Sequence, residues 1–106
     1  MSQPLPSLVE AKLIEIEAEM KAAGFWQASP LTPDQLDFSA PFGLDRMAFS
    51  QWLQFVFVPR VREAIESGRL PASSNVSGQA VREFDTDPRA NRLVRLLSEF
   101  DALFDG

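Results

Sequence analysis

Residues 49–61 read FSQWLQFVFVPRV, and this stretch decides the fold. Wound as a helix, Phe49, Trp52, Leu53, Phe55, Val56, Phe57, Val58 and Val61 cover more than one face, so the segment belongs at the centre of a bundle with other elements around it. A buried strand suits the same residue types, but the chain offers no convincing second strand to pair with it. The pattern therefore predicts a helix over 48–67, ended by Gly68. Pro59 removes the N–H that would bond the carbonyl of Phe55, and a kink there, or a split into two helices, is expected. Trp52, Phe55 and Phe57 point in different directions around that helix. Trp52 reads as core, whereas Phe57 divides evenly between core and surface. Aromatics that a chain of 106 residues leaves uncovered would form a partner or homodimer surface. With Arg60, the first polar residue after the run, these three are the candidate interaction residues.

The flanks read as amphipathic helices. Ser7 and Glu10 have capping-box spacing and predict a helix from Leu8, with Val9, Leu13, Ile16, Met20 and Ala23 on one stripe and Gly24 as its stop. Phe25 and Trp26 follow and should fold back as a lid over the helix end. Residues 27–44 contain three prolines and read as a long connection, with one short turn around 33–37 capped by Thr32 and Gln35. Another connection covers 69–86, with a helical turn near Gln79 to Glu83. The last helix opens on Asp87 as cap and Pro88, and carries Leu93, Leu96, Leu97, Phe100, Leu103 and Phe104 on one face. The expectation is an all-α fold in a single domain over 1–106. It is a small bundle of three main helices, over 8–23, 48–67 kinked at Pro59, and 88–104, with one or two short turns.

The chain has no Cys, His or Tyr, which removes thiolate chemistry, the commonest general base and the commonest metal ligand. Its five glycines are isolated, so no phosphate cradle is present. Asp85 and Asp87 beside Glu83 form the one tight acidic group, without the spacing of a calcium loop, and Asp87 is already explained as a cap. No catalytic residue, cofactor or metal is expected. A small acid-based enzyme or ligand-binding protein would have to use Asp45 or the 83–87 cluster.

Net charge is −5, unevenly spread: residues 46–98 carry eight arginines against five acids. Arg89, Arg92 and Arg95 recur along the last helix and, with Arg82, would be the contacts of a direct RNA-binding protein or of an acidic partner. The bland alternative is a salt-bridged flank in which Glu99 neutralises Arg95. The first residues, MSQPLPSLVEAK, lack the cationic start and apolar block of a signal peptide, and no stretch is long enough for a membrane-spanning helix. A cytoplasmic protein without membrane contact is expected.

Three stretches, PFGLDRM at 41–47, WLQFVFVPR at 52–60 and EFDALF at 99–104, resemble the small bacterial YqcC-like family. The resemblance implies an all-α bundle. The family often carries the label tRNA pseudouridine synthase C. Pseudouridine synthases use an aspartate held in a large mixed α/β domain, and this chain has neither the length nor the strands for one. The resemblance thus implies a non-enzymatic accessory or interaction protein, associated with a tRNA pseudouridine synthase.

Overall fold

A computed structural model describes residues 4–104. Helix α1 runs Pro6–Ala23, α2 is the single turn Pro33–Leu36, and a 3₁₀ turn covers Pro41–Gly43. The central helix α3 occupies 49–67 in three sections: α-helical Phe49–Trp52, a π-helical turn Leu53–Phe57, and α-helical Val58–Ser67. Helix α4 spans Val76–Glu83, a 3₁₀ turn covers Pro88–Ala90, and α5 runs Asn91–Ala102. Among the described residues there is no strand, and the all-α expectation holds.

Helix α1 buries Val9, Leu13, Ile16 and Met20 against α5 and the second half of α3. Helix α5 contributes Leu93, Leu96, Leu97 and Phe100, and α4 packs on its other side. The stripes read from the sequence are thus the faces that meet. The first helix starts two residues before the predicted Leu8. The helix begins at Pro6, whose fixed φ suits the first helical position, and the Ser7 side chain caps nothing. The short turn at 33–36 does carry the expected capping box, with Thr32 Oγ1 accepting from Gln35 N at 3.2 Å and Gln35 Oε1 accepting from Thr32 N at 3.1 Å.

Pro59 does not split the central helix. Val58 N–H donates to the carbonyl of Leu53, five residues back, so the turn before the proline is widened. A wider turn moves the preceding carbonyls away from the pyrrolidine ring and absorbs its missing donor. The segment 76–83, expected only as a turn from 79, is a full two-turn helix. Its start was hidden because its cap comes from another helix, as described below.

Candidate functional site

An apolar concavity lies between the second half of α3, the irregular segment 70–74 and the end of α5. A cleft of about 230 Å³ is lined there by Trp52, Phe57, Val61, Leu70, Phe100 and Phe104. Ring contacts run along its floor: Trp52 to Phe57 at 5.9 Å, Phe57 to Phe100 at 5.1 Å and Phe100 to Phe104 at 5.2 Å between centroids. Ser73, Ser74 and the exposed Arg60 stand at its edge, and Arg60 is the single charged residue of the lining.

Two polar clamps shape this region. Asp101, on α5 and only 8% exposed, accepts from Ser74 Oγ at 2.5 Å, Val76 N at 3.1 Å and Ser77 N at 2.8 Å. It therefore caps α4 from a different helix and ties down the 70–74 wall. Asn75, which holds the cap position in the chain, makes no side-chain cap bond. On the other side, Gln54 in the π-turn is 7% exposed and holds both backbone groups of Gln27: its Oε1 accepts from Gln27 N at 2.9 Å, and its Nε2 donates to Gln27 O at 2.8 Å. The connection after Phe25 and Trp26 is thereby pinned against α3.

Trp52 is held from behind. Phe42 sits at φ 58°, a left-handed conformation that costs a residue with a Cβ about 1–2 kcal/mol. Its ring meets Trp52 at 5.0 Å and Phe49 at 5.8 Å, which keeps it in place.

Three of the four candidate interaction residues meet in the cleft. Trp52 is half-buried, Arg60 is exposed on the rim, and Phe57, 7% exposed, lies in the core with its ring reaching the cleft floor. Phe55 is half-buried and outside this lining.

The four candidate RNA-contact arginines are not gathered into a free cationic surface. Arg89 is bonded to Asp87 at 2.8 Å and lies over the Phe25 ring, while Arg92 pairs with Glu19 at 3.2 Å. Arg82 is exposed on the last turn of α4, and Arg95 borders a shallow groove with Phe84 and Asp85. Glu99 makes no hydrogen bond to Arg95. It accepts from Lys12 at 2.8 Å, and that hydrogen bond lowers the Glu99 pKa and raises that of Lys12, with the nearby charge of Arg95 lowering Glu99 further.

The acidic alternatives are structural in their contacts. Asp45 accepts from Ser39 N, Ser39 Oγ and Ala40 N, bonds that lower its pKa and hold the turn before Pro41. Asp87 accepts from Arg89 N and from the Arg89 guanidinium, whose side-chain hydrogen bond lowers its pKa. Among the described residues no group of three or more His, Cys, Asp or Glu side chains is placed to hold a metal ion. No helix among them is long and apolar enough to cross a membrane.

Asp101 and Gln54 were missed as structural residues. A signal for Asp101 exists: it lies four residues after Leu97 on the buried stripe of α5, where a carboxylate needs a partner. Gln54 likewise interrupts an apolar run between Leu53 and Phe55.

The chain matches, over residues 8–103, a family described as tRNA pseudouridine synthase C, DUF446. An uncharacterised protein of Haemophilus influenzae is 33% identical over 95 residues, covering 86% of this chain and 84% of that one. The uncharacterised protein YqcC of Escherichia coli is 29% identical over 98 residues, covering 91% and 90%. A tRNA pseudouridine synthase C of Pectobacterium carotovorum is 36% identical over 59 residues, which make up 56% of this chain and 16% of that protein. The solution NMR structure of YqcC from E. coli superposes with a TM-score of 0.82 at 28% identity, covering 93% of this chain and 86% of that one.

Proposed function

The chain belongs to the DUF446 family, and from that premise we propose that it is a non-enzymatic accessory module that docks on a protein partner through the Trp52–Arg60 cleft, the partner being a tRNA pseudouridine synthase. The observation that carries this reading is the composition of the cleft. Aromatic and aliphatic side chains form its floor, with two serines and one arginine at the edge. Such a lining buries a partner's apolar anchor well. It is poorly suited to proton transfer, because a guanidinium stays protonated and serves as neither base nor acid near neutral pH.

The partner's identity is supported by the Pectobacterium match. A stretch similar to part of this chain occupies 16% of a protein that bears the synthase name. The name belongs to that larger protein, and a short segment within it similar to this chain is what an accessory module would look like when covalently joined. Arg82, Arg89, Arg92 and Arg95 give weaker support to direct RNA binding, since Arg89 and Arg92 are already paired within the fold.

Titration calorimetry of the purified chain against a tRNA pseudouridine synthase from the same source, with and without tRNA, tests the reading. Saturable binding to the enzyme is expected, and the chain alone is expected to form no pseudouridine in tRNA. Absence of binding under both conditions, or pseudouridine formation by the isolated chain, would overturn it.

A further inference from the structure

The cleft's size and its single charge define what enters it. Taking about 30 Å³ for each water-sized group, about 230 Å³ accommodates roughly seven or eight heavy atoms, the scale of one phenyl or leucyl side chain. That lies below the span of about 300–1,000 Å³ usual for pockets that bury drug-sized ligands, so the space suits a single side chain of a protein segment.

The charge supplies the second half of the occupant. Among the described residues Arg60, like Arg69, Arg82 and Arg95, forms no ion pair, whereas Arg46, Arg62, Arg89 and Arg92 do, and of the unpaired four Arg60 is the one that lines the cleft. An unengaged guanidinium beside a hydrophobic floor matches a carboxylate, which its planar fork binds through two parallel hydrogen bonds. Arg69 lies close by in an adjoining groove with Arg60 and Glu63, so cationic side chains outnumber the carboxylate there. A polyanion is disfavoured, because Glu63 and Glu66 stand exposed on the same helix and the whole chain carries −5.

We infer that the cleft recognises a short protein segment in which a Phe or Leu side chain fills the space between Trp52, Phe57 and Phe104 while a neighbouring Asp or Glu pairs with Arg60. This deepens the docking reading above and rests on it for the idea that the cleft receives a protein.

The test is selection of random twelve-residue peptides displayed on phage, carried out in parallel on the full chain and on its Arg60→Glu variant. The position is exposed and makes no ion pair, so the variant folds. The wild-type chain enriches peptides with Phe or Leu within two positions of Asp or Glu. A synthetic selected peptide shifts backbone amide resonances within 52–74 and 100–104 and binds Arg60→Glu at least tenfold more weakly. The variant enriches Lys or Arg at the former acidic position.

No enrichment, enrichment without an acidic residue, equal binding to the variant, or shifts confined to other surfaces would each overturn the inference. So would a dimer in sedimentation that Arg60→Glu dissolves, or the same amide shifts produced by tRNA, since these assign the cleft to other occupants. Peptide binding without synthase binding removes the named partner and keeps the site. Synthase binding undiminished in Arg60→Glu keeps the accessory role and removes the site.

Discussion

Replacing Asp101 with Ala removes a side chain whose hydrogen bonds join α5, the start of α4 and the wall of the cleft. Three hydrogen bonds are lost, from Ser74 Oγ, Val76 N and Ser77 N. Loss of a helix cap costs about 0.5–2 kcal/mol, and a buried donor left without an acceptor costs about 1–3 kcal/mol. The bond to Val76 N is buried, so the two effects overlap only in part, and a total of about 2–4 kcal/mol is expected. For a chain of this size each kcal/mol lowers the thermal midpoint by about 4–8 °C. Urea unfolding followed by circular dichroism gives the free energy, and amide exchange gives its location: Val76 and Ser77 should lose protection well before Leu13 or Ile16. Asp101→Asn keeps one acceptor oxygen and should fall between the two. A loss below about 0.5 kcal/mol for Asp101→Ala, or exchange rates unchanged at 76 and 77, would refute the idea that α4 is capped across the bundle.

Gln54→Glu keeps an acceptor for Gln27 N but turns a carboxylate oxygen toward Gln27 O, and should cost about 2–3 kcal/mol in urea unfolding at neutral pH; wild-type stability would contradict the clamp. Gly43 and Gly68 both have left-handed φ, 62° and 72°, but an added Cβ at 43 meets Met47 Cε at 3.1 Å and at 68 meets nothing within 4 Å. Gly68→Ala should therefore cost about 1 kcal/mol and Gly43→Ala measurably more, and equal losses would count against the close packing at 43. Stability should also fall in acid. Folding lowers the pKa of Asp45, Asp87 and Glu99, so each contributes stability above its ordinary value near 4, lost as pH drops through the lower folded value. Urea midpoints between pH 7 and pH 2 follow this, and a flat profile would contradict it.

What the sequence made legible was whatever depends on local spacing. The stripes of α1 and α5, the Thr32–Gln35 box, the cap at Asp87 and the centrality of 49–61 all follow from residues within one or two turns of each other. What it concealed were polar residues serving distant backbone. Gln54 answers Gln27 across 27 positions, and Asp101 answers Val76 across 25. Helix α4 looked weak because its cap is supplied from outside its own segment. Pro59 invites a kink when considered with its neighbour four residues back, but the adjustment lies upstream, in a widened turn that no periodicity announces. The candidate site was half visible for the same reason. Trp52, Phe57 and Arg60 sit on one helix, whereas Leu70, Phe100 and Phe104 reach the cleft only through the tertiary fold.

The measurement closest to the central claim is a calorimetric titration of a tRNA pseudouridine synthase with the wild-type chain and with two variants at exposed cleft positions, Arg60→Glu and Ser73→Glu. A docking role for the cleft predicts saturable binding by the wild type and at least a tenfold loss in each variant, with unfolding curves unchanged. Binding that is absent in the wild type, or equal in all three proteins, would contradict it.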